Sequence, residues 1–349
     1  MTTFFPFSDE ALRVAANLAQ RHDAYVAAVR SGDDLPSSMF FARKDEREYL
    51  VLKRYSGDSG TTVGARSVET EATLAQYLAE REAARASLEA TERALAEIIN
   101  QYRALKLPHA TAKAARILRE LDIAGMLGED LMLVGTNAFP AYQLEAGCRF
   151  QGLLDETDDF DLAWCRGSGI SLAARAANER APSLLGVLKQ IDPQYRINKT
   201  RPYQALASDG YEVELLVAPS LFATLPRGDA FSPMAIFQEQ EWLLRGRPIR
   251  HVLVSRDAKT CPIFAPDPRW MALHKMWLAN KPERNANKRD KDRSQGEILL
   301  DAVKERMQIA YPLDIDFVLE LPEELRPYFD AWASSRQFIP GQSGLPTLR

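Results

Sequence analysis

Asp159-Phe160-Asp161-Leu162-Ala163-Trp164 is the stretch that decides the fold. Its large apolar residues alternate with acidic or small ones, and this period of two predicts a β-strand with one buried face. The two aspartates share the opposite face. Carboxylates inside a strand suffer repulsion and desolvation unless a cation compensates them. The pair therefore predicts a site for a hard cation such as Mg²⁺, which binds through oxygen. The alternative is an acidic loop leading into a strand, because acids crowd the whole of 155–161.

A phosphate-binding turn is predicted just upstream of this strand. Residues 131–134 are apolar and short enough for a buried strand, Gly135-Thr136 follows, and 137–146 has a helical pattern. Backbone N–H groups of such a turn, with the start of the helix behind them, can hold a phosphate. Gly-Thr is common at turns, so the prediction rests on the order strand, Gly-Thr, helix and Asp-x-Asp strand.

A third acid comes from a later strand, predicted over 211–217. Glu214 lies between Val213 and Leu215 in this alternating run, and Glu212 lies on the same face one pleat away. Glu214 is preferred because it is deeper in the apolar run, and Glu212 is the substitute. Three acids from two neighbouring strands suit a two-metal site for nucleotidyl transfer.

A helix predicted from Pro268 carries further candidates. Its apolar residues form one face, and Lys275 lies off that face, where it could reach a triphosphate as a point charge. His274 borders the apolar face and is interpreted as a packing residue. A charged stretch, 281–293, follows before a helix predicted over 294–310, and contains Lys288, Lys291 and Asp292. It is either a solvated face or part of the nucleotide or acceptor site.

The first third of the chain predicts a separate region. A helix over 9–29 precedes a β-hairpin of 39–43 and 49–53, followed by a glycine-containing flexible exit. Residues 67–104 predict a long helix with a thin apolar stripe. This arm packs on the rest of the chain or on a second copy, giving a homodimer; an ordinary surface helix fits the same pattern.

Composition excludes several classes of protein. The 349 residues are 46% hydrophobic and carry a net charge of −4, which argues against a broadly basic nucleic-acid-binding surface. Three widely spaced cysteines fit a reducing cytoplasm rather than a disulfide framework. We expect no signal peptide and no membrane span. GxGxxG and Walker motifs are absent, which disfavours dehydrogenases and P-loop enzymes.

Together these residues resemble the DNA polymerase β-like nucleotidyltransferase superfamily: Gly135-Thr136, then Asp159 and Asp161, then Glu214. The closer resemblance is to a bacterial family of nucleotidyltransferase-fold proteins, distantly akin to AbiEii-type abortive-infection toxins. That family has a "PDP…LHK" helix followed by Arg, Lys and "KD..Q". Here these are Pro266-Asp267-Pro268, Leu273-His274-Lys275, Arg284, Lys288 and Lys291-Asp292-x-x-Gln295. Two departures are Thr136, where Gly or Ser is usual, and Glu214, where Asp is common.

The resemblance implies an enzyme that moves a nucleoside monophosphate from an NTP to a hydroxyl and releases pyrophosphate. It implies Mg²⁺ or Mn²⁺ on Asp159, Asp161 and Glu214, and nucleotide contacts from six residues. These are Gly135, Thr136, Lys275, Lys288, Lys291 and Asp292. An RNA end, a protein or a small molecule fits as the acceptor. A catalytically weak binding module, a toxin-like component of a defence system and a metal-dependent phosphodiesterase are the alternatives.

The predicted fold class is α+β: a polymerase β-like mixed-sheet core, an N-terminal hairpin with a helical arm, and a C-terminal helical region. The predicted domains are 1–105, the hairpin and arm; 106–225, the catalytic core; and 226–349, which completes the nucleotide site.

Overall fold

The computed structural model describes residues 4–152, 159–168, 183–225, 231 and 238–341, and for Asp159 it describes the backbone alone. Within these residues the contacts define two compact units, residues 16–102 and the remainder, 1–15 with 103–349. The ten α-helices of the described residues are α1 (Asp9–Asp33), α2 (Val68–Ala104), α3 (Ala112–Ile123), α4 (Phe139–Glu145), α5 (Leu184–Ile191), α6 (Gln240–Leu243), α7 (Pro268–Ala279), α8 (Ala286–Ala302), α9 (Ile315–Glu320) and α10 (Arg326–Ser335).

The described residues also contain thirteen strands. They are β1 (Phe4–Pro6), β2 (Ser38–Lys44), β3 (Arg47–Lys53), β4 (Thr61–Ala65), β5 (His109–Ala110), β6 (Leu131–Val134), β7 (Cys148–Phe150), β8 (Asp159–Trp164), β9 (Arg196–Ile197), β10 (Gln204–Leu206), β11 (Glu212–Val217), β12 (Ile249–Ser255) and β13 (Thr260–Ala265). Thr136–Ala138 and Pro219–Thr224 form 3₁₀ turns, and Val303–Met307 forms a π-helical turn after α8. The chain is therefore mixed α/β, in agreement with the predicted class.

The smaller unit contains the predicted hairpin and the predicted long helix. Strands β2 and β3 pair antiparallel, and Asp45 in the turn between them has a positive φ of 57°. A third strand, β4, pairs with β3 where the sequence predicted a flexible exit. That part of the prediction is wrong, because the glycines at 57, 60 and 64 gave no strand pattern, and pairing with β3 determines the strand.

The larger unit is built around a five-stranded sheet in the order β6-β8-β11-β10-β9. Only β8 and β11 run parallel in this sheet, and the other neighbours run antiparallel. A three-stranded sheet, β13-β12-β5, and the two-stranded pair of β1 and β7 complete the unit. The apolar residues of β8 are buried as predicted, with Phe160 and Leu162 fully inaccessible to solvent.

The C-terminal helices differ from the prediction in one respect. Most of the charged stretch 281–293 is part of a helix, because α8 begins at Ala286 rather than near residue 294, while Lys281 and Arg284 precede this helix. Asn285 caps this helix by accepting a hydrogen bond from the Asn287 N–H at 2.9 Å. The charges lie on the first turns of α8, so they do not interrupt it. Helix α5 follows a part of the chain, 169–182, that lies outside the described residues.

No helix among the described residues has the length and apolar character needed to cross a lipid bilayer. The three cysteines, Cys148, Cys165 and Cys261, are buried and reduced.

Candidate active site

Gly135 brings the turn after β6 against the acidic strand. Val134, the last residue of β6, pairs with Asp161 of β8. Gly135 has a φ of 77°, in the left-handed region that favours glycine. A Cβ atom at this position would lie 2.6 Å from Asp161 Oδ2. The absence of a side chain therefore lets the Asp161 carboxylate lie directly against the turn.

The parallel pairing of β8 and β11 brings the predicted acids together. Asp161 is the register partner of Glu214, and Asp159 is the register partner of Glu212. Register partners on neighbouring strands lie about 4.8 Å apart and point to the same face of the sheet. Asp161 and Glu214 therefore share one face of the sheet.

Asp161 and Glu214 both open into one cavity of about 330 Å³. Leu216, Leu243 and Leu278 form an apolar part of its wall. Three cationic residues, Lys275, Lys281 and Arg284, line it as well, and so do Glu239 and Glu283. Glu212 is not among the lining residues, so the geometry distinguishes Glu214 from its predicted substitute.

A buried glutamine on the neighbouring strand holds the two glutamates. Gln204 of β10 is fully buried, and its Nε2 donates to Glu214 Oε1 and to Glu212 Oε2, each at 2.8 Å. Its Oε1 in turn accepts from Asn198 Nδ2 at 2.8 Å, which fixes the orientation of the amide. Gln204 is thus the only residue described here that bonds both carboxylates.

Lys275 is held by a buried carboxylate rather than projecting freely. Its Nζ lies 2.7 Å from Asp292 Oδ1 and 3.5 Å from Thr136 Oγ1, and both Lys275 and Asp292 are buried. Arg284 lies 2.6 Å from the second oxygen, Asp292 Oδ2. Burial alone would raise the pKa of Asp292, but Lys275 and Arg284 outweigh it and lower that pKa. Asp292 therefore remains an anion that orients two cations of the cavity.

Thr136 is buried and joins this group from the other side. Its Oγ1 donates to Gln295 Oε1 on α8 at 3.4 Å, so the hydroxyl ties the Gly135 turn to α8. Thr136 and Asp292 do not line the cavity, whereas Gly135 and Lys275 do. The other two predicted nucleotide contacts, Lys288 and Lys291, are half-buried and are also outside the lining.

Lys281 and His274 complete the wall near α7. Lys281 Nζ lies 2.7 Å from Glu239 Oε1 and 3.9 Å from the centre of the Trp277 ring. His274 packs between Trp242 and Trp277, and burial, with a smaller effect of Lys275, lowers its pKa to about 3. It is the packing residue that the sequence predicted, and its imidazole is neutral near pH 7.

Sequence reasoning missed Gln204, Asn198 and Glu239 as residues of this site. Gln204 is one polar residue in a three-residue strand, and only the antiparallel pairing of β10 with β11 brings it to the glutamates. Glu239 precedes the short helix α6, in a part of the chain without a motif. No local pattern marks either residue.

The acidic side chains of the cavity are oxygen donors of the kind that bind metal ions. Among the described side chains no three His, Cys, Asp or Glu residues form a metal-binding group. Asp161 and Glu214 supply two neighbouring oxygen donors of the kind that Mg²⁺ prefers. Because Asp161 and Glu214 are register partners, these two residues fit a divalent cation.

Comparison with known proteins identifies the family of the chain. The profile described as "Nucleotidyltransferase" matches residues 112–316. A solved structure, an antigenic nucleotidyltransferase-like protein from Paracoccidioides brasiliensis, is similar at 14% identity with a TM-score of 0.36, over 65% of this chain and 91% of that one. No curated protein matches. Because the profile covers more than half of the 349 residues, including Gly135, Asp161, Glu214 and Lys275, the chain belongs to the nucleotidyltransferase family.

Proposed function

We propose that this nucleotidyltransferase moves a nucleoside monophosphate from an NTP to an acceptor hydroxyl and releases pyrophosphate. One observation carries the proposal. Asp161 and Glu214, register partners on parallel strands, open into a cavity that three cationic side chains also line. Acidic side chains suit the metal ion of a metal–NTP substrate, and cationic side chains suit its polyphosphate.

The cavity matches the chemistry of an NTP. Its volume of about 330 Å³ lies within the range of small-molecule sites. Lys275, Lys281 and Arg284 would neutralise the phosphates, and backbone N–H groups after Gly135 would donate to them. The leucines of the wall would pack on the base or the sugar. Lys281 and Arg284 thus take the role that the sequence gave to Lys288 and Lys291, which lie outside this cavity.

The metal would be held by Asp159, Asp161 and Glu214. When bound, Mg²⁺ or Mn²⁺ would lower the pKa of the attacking hydroxyl and neutralise the charge that develops on pyrophosphate. Glu214 would accept the hydroxyl proton, while the hydrogen bond from Gln204 Nε2 keeps its carboxylate in place. Asp292 would position Lys275 and Arg284 by pairing with both of them.

The test is label transfer from each α-³²P-NTP, with Mg²⁺, to the components of a whole-cell lysate. We expect label in one class of molecule, RNA, protein or metabolites, and this class identifies the acceptor. Asp161→Asn should abolish transfer. Glu214→Gln should lower it at least about 100-fold, because interactions with the reacting groups contribute several kcal/mol.

Glu212→Gln is the matched control for Glu214→Gln. Glu212 has the same chemistry and the same Gln204 donor but does not line the cavity, so its variant should retain most activity. Equal loss in both variants would contradict the assignment of Glu214. Tight binding of Mg²⁺–NTP by the wild-type chain without any transfer would instead support a binding module.

Three finer features of the sequence-based interpretation belong to this proposal: a polymerase β-like strand arrangement, a two-metal mechanism and kinship with AbiEii-type toxins of bacteria. The resemblance of the motifs supports them. If the chain acts as a toxin, its expression should slow the growth of a bacterial host, and Asp161→Asn should restore normal growth.

A further inference from the structure

A second cavity, of about 420 Å³, lies in the larger unit and shares no lining residue with the first. Its polar lining consists of Arg103, His109, Gln143, Arg149 and Arg256. These residues come from five separate parts of the chain: the end of α2, β5, α4, β7 and the turn after β12. The fold therefore collects three guanidinium groups and an imidazole around one space.

The cavity is strongly positive. None of the described residues that line it carries a carboxylate. Burial lowers the pKa of His109, and the charges of Arg103, Arg149 and Arg256 lower it further. Three positive charges therefore act on one imidazole. A bound anion would reduce the repulsion among these positive charges.

The framework around the cavity is fixed by hydrogen bonds. The Arg149 guanidinium donates to the Lys106 carbonyl oxygen, and the Arg256 backbone N–H donates to the Ala110 carbonyl oxygen at 3.2 Å. Gln143, which is buried, accepts from the Phe150 N–H at 3.1 Å. Since β5 also pairs with β12, the backbones that carry His109 and Arg256 are joined. The cationic groups are thus carried by connected segments.

We propose that this cavity binds a phosphate group through Arg103, Arg149 and Arg256. A guanidinium presents planar pairs of N–H donors that match the oxygens of a phosphate, and several such groups suit a multiply charged anion better than a carboxylate. The phosphate comes either from a small molecule or from the backbone of an RNA, and the two sources are distinguished by direct binding measurements.

The experiment uses the full chain and measures binding, so it does not depend on nucleotidyl transfer. Calorimetry tests inorganic phosphate, and fluorescence anisotropy tests a fluorescein-labelled single-stranded RNA over a range of salt concentrations. The variants are Arg149→Ala/Arg256→Ala and, as the matched control, Arg196→Ala, an exposed arginine of β9 that does not line the cavity. Asp161→Asn should bind as the wild type does.

For a small phosphate we expect saturable binding that the double variant weakens at least about tenfold, because hydrogen bonds to charged groups are the stronger ones. For RNA we expect weaker binding and a decrease of about 1.4 in the magnitude of the slope of log K against log salt, because each lost contact with a single strand contributes about 0.7. Arg196→Ala should change neither. Absence of binding to both probes, or equal binding by the double variant and the wild type, would overturn the proposal. If the double variant does not fold, Arg103→Ala, at an exposed position, is tested instead with the same criteria.

Discussion

At the scale of single residues, the site depends on Gly135 as much as on its acids. Its backbone conformation, with φ 77° and ψ −159°, costs a residue with a side chain about 1–3 kcal/mol, and a Cβ would lie 2.6 Å from Asp161 Oδ2. Gly135→Ala should therefore displace this carboxylate. We expect a loss of transfer activity of at least about tenfold, measured with α-³²P-NTP, in a chain that still folds.

Gly210→Ala is the control that separates strain from displacement. Gly210 has a similar φ, 83°, but nothing lies within 4 Å of the Cβ that alanine would add. This variant should lose a comparable amount of stability and keep its activity. Equal activity in the two variants would show that the contact between Gly135 and Asp161 is unimportant.

Gln204 is the second residue whose role can be tested. Gln204→Met removes the hydrogen bonds that Nε2 donates to Glu212 and Glu214. Both carboxylates then lack the group that holds them in place. We expect kcat to fall while KM for the NTP changes little, and the Mg²⁺ concentration needed for half-maximal activity to shift. A change in KM alone would contradict a positioning role. Gln204→Glu, which keeps the shape but adds a charge, should be at least as impaired.

The sequence predicted the acids of the site but not the residues that hold them. Asp161 and Glu214 were found because an acid between apolar neighbours of a strand is unusual, and this signal is local. The partners of Lys275 were not evident, because Asp292 contacts it only after α7 and α8 pack together. The same limit explains Gln204, whose contacts depend on strand pairing.

At the scale of secondary-structure elements, the packing of α7 against α8 positions the cations of the cavity. Gly296 of α8 faces α7 so closely that a Cβ would lie 2.6 Å from the Ala272 carbonyl oxygen and 2.5 Å from Met276 Cγ. A backbone atom cannot move aside as a side chain can. Gly296→Ala should therefore destabilise the chain by about 1–3 kcal/mol in urea unfolding and should also lower activity, because Lys275 and Asp292 lie on these two helices.

Gly186→Ala in α5 serves as the comparison. The nearest atom to its added Cβ would be Ser183 Cβ at 3.5 Å, an ordinary contact. Alanine is the better helix former, so this variant should be as stable as the wild type or more stable by up to about 1 kcal/mol. If Gly296→Ala behaved in the same way, the close approach of the two helices would have no energetic importance.

Element prediction succeeded where periodicity was strong and failed where it was not. The boundaries of α1, α2, β2 and β3 agree with the sequence within a few residues. The thin stripe of α2 was only partly informative, since Leu95 and Tyr102 are buried while Leu78 is 52% exposed. The start of α8 was missed because its first turns carry charges of both signs and no apolar repeat. The homodimer through this arm and the three-domain division remain predictions.

At the scale of the whole molecule, His274 couples global stability to pH. Its pKa is about 3 in the folded chain and about 6.5 when exposed, so the unfolded chain binds the proton more tightly. The stability that His274 contributes is complete above about pH 6.5 and is lost as the pH falls towards 3. Between about pH 7 and pH 5 we expect a loss of about 2 kcal/mol in the free energy of unfolding, measured by urea titration.

The pKa values of ordinary carboxylates lie below this pH range, so their titration contributes little to the expected change in stability. His274→Gln should flatten the pH dependence over the same range. Unchanged pH dependence in this variant would assign the effect to other groups, such as His109, whose pKa is also lowered.

The burial of the cysteines has a practical consequence for biophysical work on this chain. Burial raises the pKa of the Cys148 thiol to about 11 and that of Cys165 to about 12, and it raises the pKa of Cys261 as well. At neutral pH the three thiols are therefore protonated and buried. Maleimide dyes react with exposed thiolates, so they should not label these cysteines. A single cysteine introduced on the surface, for example in place of Lys44, should accept a fluorophore selectively without prior removal of the native ones.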